Sequence, residues 1–325
     1  MRMTRCFLLS CALLLGLPAF GKTVTIKKVG ISPNFLVLSV DGNMAYVSSY
    51  GTGELLEVDL KQHAVTRAVE VGSAPLGLAL ADGGKSVYVA CRETGTVAVV
   101  NLQSFKVEAE IKVGGAPNAV VIGPLGYRAY VTNFGRTKEG MLNIIDTREH
   151  KMTGTVKMGI SPIALAVSPI SEMVYVVNGG SNEVWTVDPN QMAVTGKIAV
   201  GDAPDGIAIT PDGSRLFVSN SQSNDLSVID AHLGTVLVTV PVGKSPFGVA
   251  VSPDGKRVFV VNTKSRTVSV LPTDLSSLES TTFDVEKGPV GIQIAPDNRT
   301  VVVANELSNS LSIAQAGSIH IERHK

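Results

Sequence analysis

Cysteine is nearly absent: the 325-residue chain has three, and two of them, Cys6 and Cys11, fall in the first eleven positions. If that leader is removed only Cys91 is left, so no internal disulfide can form and stability has to come from packing and strand pairing. Charge is also sparse, at 17% against roughly 25% in an average globular protein. The 28 basic and 28 acidic residues cancel, so no global field draws the chain to nucleic acid or to an anionic membrane surface. There is one tryptophan, Trp185. No segment carries apolar residues at i, i+3, i+4 and i+7 over a helix length, which excludes helical solenoids and bundles. No glycine loop lies between a strand and a helix, so a phosphate-binding loop is excluded. The Gly-x-Ser-x-Gly nucleophile elbow is missing as well.

What remains is apolar and turn-rich. Hydrophobic residues make up 44% of the chain and glycines number 32. Valine recurs in short runs bounded by Gly, Pro, Asn and Asp, a strand-and-turn composition. Such a chain can bury enough surface to offset its ordering entropy, which excludes disorder.

The N-terminus has the form of a secretory signal peptide. Arg2 and Arg5 precede an apolar stretch from Cys6 to Phe20, short for a bilayer span. Small residues at 19 and 21 predict cleavage near Gly21–Lys22, so residues 1–21 are assigned to the signal and 22–325 to a single domain. The mature chain then has 26 basic against 28 acidic residues and is expected to have no membrane span and to be a monomer.

A proline-marked turn repeats along the chain. The marker falls at Pro33, Pro75, Pro117, Pro162, Pro204, Pro246 and Pro289, in steps of 42, 42, 45, 42, 42 and 43 residues. VGISP, VGSAP, VGGAP, MGISP, VGDAP and VGKSP precede or contain it, and the seventh copy is worn to EKGP. Seven copies at this period indicate a repeat architecture. In the fifth, short apolar runs at 206–209, 216–219, 226–229 and 236–240 are separated by Pro211-Asp212-Gly213, a polar loop and Asp230–Gly234. Four short antiparallel strands per copy make a propeller blade. The expected fold is all-β: a seven-bladed β-propeller with repeats starting near 29, 71, 113, 158, 200, 242 and 286. Residues 23–29 match the fourth strand of the other copies and are expected to complete the last blade. Residues 319–322 compete for that place.

The tetrad YVTN at 130–133 recurs as YVSS, YVAC, YVVN, FVSN, FVVN and VVAN at 46, 88, 175, 217, 259 and 302. Together with the VGxAP turn, the PDG turns at 211 and 253 and the third-strand endings VVN, IID and VID, it resembles the YVTN β-propeller repeat family over residues 23–316. The Gly-His and Trp-Asp marks of WD40 blades are missing. The resemblance implies a prokaryotic protein exported to the periplasm, the cell surface or the medium, serving in binding or as a scaffold. It carries no catalytic motif onto this chain, and no cofactor site is encoded.

Strand alternation places the marker turn and the loop between strands two and three at one end of the ring, here the top face. Departures from the repeat concentrate there. The residue after the tetrad is Tyr50, Arg92 and Phe134 in blades one to three but Gly179, Ser221 and Thr263 in blades four to six. Blade three also carries a three-residue insertion that includes Arg136 and Lys138. After the marker proline, near the channel mouth, the chain reads Asn34, Leu76, Asn118, Ile163, Asp205, Phe247 and Val290. An arc of aromatic and arginine side chains is binding hot-spot material, whereas drift in a tolerant loop would look similar. The expected ligand- or partner-binding residues are Tyr50, Arg92, Phe134, Arg136, Lys138, Asn118, Asp205 and Phe247, engaging a protein or small ligand.

Other candidates carry less. Asn133, Asn178, Asn220, Asn262 and Asn305 share one blade position and suit either an amide ring for a ligand or satisfaction of backbone groups. Cys91 occupies that position in blade two; Arg92 beside it would lower its thiol pKa, but no paired base is nearby in sequence. His63, His150 and His232 lie in turns of the opposite face, spread around the rim, and give no set of four metal ligands. Trp185 is expected in inter-blade packing. The expectation is a non-enzymatic exported binding or scaffold protein. A hydrolase of the lactonase or lyase type, with Asp205 as its lone channel carboxylate, and a purely structural surface protein are the alternatives.

Overall fold

The computed structural model describes residues 20–134 and 139–316. Its strands form seven separate four-stranded antiparallel sheets. Six consist of four consecutive strands, spanning 33–70, 75–112, 117–160, 162–199, 204–241 and 246–284. The seventh, blade 7, has Pro289–Ile294, Thr300–Asn305 and Ser310–Gln315 as its inner three strands. Its fourth is Val24–Lys27, antiparallel to the third, with Val24 opposite Ile313 and Lys27 opposite Ser310. The N-terminal segment therefore closes the ring, as expected, and Ile319–Glu322 lies outside the described residues.

The hydrophobic core is divided among the blade interfaces. Buried side chains fall into seven clusters, each shared by two neighbouring blades. One of them joins Ile26, Val302, Leu311 and Ile313 of blade 7 to Leu36, Val47 and Leu56 of blade 1. A four-stranded sheet has two apolar faces and no helix to cover either, so each face is buried against the next blade. Closing the ring covers the two faces that an open array would expose.

The repeated residues have identifiable local work. At the end of the third strand, Asp59, Asp188 and Asp230 each accept hydrogen bonds from two successive backbone N–H groups of the following turn. These carboxylates terminate the strand by mimicking a turn of backbone. The tetrad tyrosine crosses the blade interface: Tyr88 Oη donates to the Thr147 carbonyl of blade 3 (3.1 Å), and Tyr175 Oη to the Ala231 carbonyl of blade 5 (3.3 Å). A third device links the loops. Asn182, Asn224 and Asn309, all in the left-handed region, accept through Oδ1 from the next blade's Ala203, Ser245 and Ser32 N–H.

At the hub the inner strands almost touch. A Cβ on Gly206 would run into the Phe247 carbonyl oxygen, and one on Gly291 would lie 2.5 Å from the Asn34 carbonyl oxygen. Glycine two residues after the marker therefore lets the inner strands close on a narrow channel.

Phe20 lies beside blades 6 and 7, stacked on Phe283 at 4.4 Å and edge-on to Phe259 at 6.1 Å. Cleavage near Gly21–Lys22 would remove this ring. Among the described residues no helix is long and apolar enough to cross a membrane.

Candidate functional site: the top face and channel mouth

The tetrad asparagines are structural. Asn178, Asn220, Asn262 and Asn305 are fully buried, and Asn133 nearly so. Asn220 Nδ2 donates to Ser227 Oγ (2.9 Å), Asn262 Nδ2 to Ser269 Oγ (2.9 Å) and Asn305 Nδ2 to Ser312 Oγ (2.9 Å), all within their own blades. In blade 3, Asn133 Oδ1 accepts from the Ala116 N–H at 2.7 Å. The amides are buried and bond through Nδ2 to backbone carbonyls or serine hydroxyls of their own blades, so they form no exposed ring for a ligand, while Oδ1 of Asn178, Asn220, Asn262 and Asn305 has no hydrogen-bond partner among the described residues. Cys91 belongs to the same buried layer. Its Sγ donates to the Val71 carbonyl, and burial pushes the thiol up to about 12. The neighbouring Arg92 does not lower it, because Arg92 turns toward blade 3.

That turn assembles the first part of the site. The Arg92 guanidinium lies 4.6 Å above the Phe134 ring centroid, and its Nη1 donates to Asn118 Oδ1 at 3.3 Å. Asn118 is itself fixed, since its Nδ2 donates to the Ile163 carbonyl of blade 4 at 2.7 Å. Blades 2, 3 and 4 thus hold one cation on an aromatic face, with both its partners half-buried or buried. Three predicted residues, Arg92, Phe134 and Asn118, are brought together. Tyr50 is 37% exposed and is anchored through its backbone N–H to the Ser32 carbonyl; no contact joins it to the arginine. Arg136 and Lys138 lie outside the described residues.

Asp205 and Phe247 face a different space. They line a channel cavity of about 210 Å³ to which all seven blades contribute. The Phe247 ring lies 6.3 Å from that of Phe35, tilted by 40°. Burial raises the Asp205 carboxyl above the usual carboxylate range, partly opposed by the Ser221 hydroxyl. Apart from Asp205, the side chains lining the cavity are apolar with one exception, Gln293.

Three residues of this region escape a reading of the repeat that looks only for arginines and aromatics on one arc. Phe35 stands where blades 2, 5, 6 and 7 have glycine. Gln293 stands where the other six blades have Val or Ala. Glu306 is blade 7's counterpart of Tyr50, Arg92 and Phe134, and burial raises its carboxyl. Each is visible as a departure once the seven copies are aligned on their marker prolines.

Elsewhere the structure assigns packing roles. Trp185 is half-buried in the cluster between blades 3 and 4, its Nε1 donating to Glu183 Oε2 and Lys197 Nζ lying 3.8 Å from its ring centroid. His63 and His232 are exposed, whereas His150 is half-buried with Nδ1 2.9 Å from Tyr88 Oη. No group of three or more His, Cys, Asp or Glu converges among the described residues.

Residues 160–258 match the family model of the YNCE-like beta-propeller. Those residues comprise blades 4 and 5 and the beginning of blade 6, and the match is consistent with a YVTN-type propeller. Among solved structures, the chain is similar to the hydrazine synthase of Kuenenia stuttgartiensis, at 21% identity and a TM-score of 0.80. The alignment covers 95% of this chain and 99% of that one. At that identity the likeness shows the propeller fold alone. No curated protein matches the chain in sequence.

Proposed function

We propose that this seven-bladed propeller is an exported, non-enzymatic binding or scaffold protein that engages a protein partner through the top-face loops of blades 1 to 3. The observation that carries this reading is the Arg92–Phe134–Asn118 group. An arginine held over an aromatic ring has already lost much of its rotamer freedom, so less is lost when a partner docks against it. Aromatic and arginine side chains dominate binding hot spots for that reason and for their large contact area. The blade-three insertion with Arg136 and Lys138 adds basic residues to the same arc of the sequence repeat. Export rests on the N-terminal leader.

The test is capture of partners from an envelope fraction by the purified mature chain, with bound proteins identified after crosslinking. Arg92→Glu, Arg136→Glu and Lys138→Glu together should abolish capture without lowering the melting temperature. Leu125→Glu, an exposed change on the opposite face, should leave capture intact. Equal loss from both changes would refute the top-face assignment.

A hydrolase of the lactonase type has one observation in its favour, the desolvated Asp205 carboxyl in the channel. It requires turnover on a lactone panel that Asp205→Asn abolishes.

A further inference from the structure

The channel cavity differs from the rim in its chemistry. Its lining contains one carboxylate, one amide and no basic side chain; the rest is aliphatic or phenyl surface and glycine backbone. A volume of about 210 Å³ corresponds to roughly seven water-sized groups. That is room for a short linear molecule and too little for a nucleotide or a sugar chain.

Polarity is arranged along the axis. Asp205 follows its marker proline directly, at the top mouth, whereas Gln293 lies three residues further along the inner strand of blade 7. At the strand rise this sets them at most roughly 10 Å apart in depth. Phe247 follows its own marker proline directly and so stands at the level of Asp205, and Phe35 is one residue further along its strand; the two rings are 6.3 Å from each other. A small cation beside this pair would be within about 6 Å of both ring centroids, the range of cation–π attraction.

Asp205 has no cationic partner within ion-pair distance among the described residues. A carboxylate held in a mainly apolar pocket without a counter-ion is costly, and an incoming cation relieves that cost. Neutral ligands and anions would not.

We propose that the channel mouth is a binding site for a primary alkylammonium group, with Asp205 as counter-ion, Phe35 and Phe247 as its aromatic wall, and the apolar channel receiving the alkyl chain. The inference goes beyond the rim reading. It concerns blades 1, 5, 6 and 7 and does not depend on Arg92.

Two sources present this chemistry, a free aliphatic amine and a lysine side chain of a partner. The probes are n-pentylammonium, neutral 1-pentanol of the same length, and Nα-acetyl-lysine N-methylamide, titrated calorimetrically against the mature chain. Wild type should bind n-pentylammonium at least about tenfold more tightly than 1-pentanol. Asp205→Asn should bring the two to similar affinity, and Phe247→Ala should weaken the amine by about threefold or more. Leu125→Glu, exposed on the opposite face, should leave amine binding unchanged, and because these titrations contain no protein partner, failure here is distinct from failure of the rim reading.

Tighter binding of the lysine derivative assigns the ammonium to a protein partner. Tighter binding of n-pentylammonium assigns it to a free amine. Either result supports the site. Equal wild-type affinities for n-pentylammonium and 1-pentanol, or no binding of either, would overturn it, and this comparison needs no variant to fold. Undiminished amine binding by a folded Asp205→Asn protein would overturn it as well.

Discussion

The Ser32 backbone N–H donates to Asn309 Oδ1 at 2.9 Å across 277 residues of chain. Blade 1 is thereby stitched to blade 7 by the same bond that links blades 4 to 5 and 5 to 6. With Val24–Lys27 supplying the outer strand of blade 7, closure of the ring depends on a short N-terminal segment. Ile26, 2% exposed, is the side chain by which that segment enters the core. Ile26→Ala should therefore destabilise the protein by about 2–4 kcal/mol. Urea unfolding measures this, and a loss below about 0.5 kcal/mol would contradict closure by this strand.

Close approach of the inner strands makes a second prediction. A methyl group on Gly206 meets the Phe247 carbonyl oxygen, and backbone cannot yield as a side-chain tip can. Gly206→Ala should cost about 1–3 kcal/mol through overpacking. At Gly196, in an outer strand, an added Cβ would meet nothing nearer than 3.6 Å, so Gly196→Ala should stay within about 0.5 kcal/mol of wild type. The two melting temperatures provide the comparison.

Cys91 is fully buried, with its thiol pushed up to about 12. Only a thiolate alkylates readily, so the native protein at pH 8 should resist iodoacetamide and the urea-unfolded chain should react at the rate of a free thiol. Rapid modification of the folded protein would show that the layer opens locally.

Acid stability should reflect the inner turns. Hydrogen bonds, the Thr210 hydroxyl first for Asp212 and the Ser39 hydroxyl first for Asp41, hold these carboxyls down to about 2. The unfolded value is about 3.9. A depressed folded pKa contributes stability that is present above the unfolded value and lost as pH falls through the folded one. Unfolding free energy should therefore decline from about pH 4 toward pH 2, and Asp212→Asn should flatten that decline. An unchanged slope in urea titrations over this range would show that these turns contribute nothing to it.

The repeat makes much of the fold legible in the sequence. In blade 5, the apolar runs at 206–209, 216–219, 226–229 and 236–240 all lie inside the observed strands Pro204–Ile209, Arg215–Asn220, Asp225–Asp230 and Thr235–Pro241. The strands run longer because pairing continues into polar flanks such as Arg215 and Asp225, where one face is still covered. The rim was partly readable: Arg92 and Phe134 stood out as large residues in a series of small ones. Their contact was not, since the arginine could equally have turned toward blade 1.

Sequence alone determined the number of blades and the turn chemistry, because both are encoded by local spacing and repeated along the chain, whereas the choice of Val24–Lys27 as closing strand was decided by its pairing with the third strand of blade 7. Only the tertiary structure decided which departures from the repeat meet. Phe35 and Phe247 lie more than two hundred positions apart in the chain and 6.3 Å apart in space. The physical reason is closure: the ring brings blade 6 back to within one blade of blade 1, and the radius at which glycine lets the inner strands touch determines who faces whom across the channel.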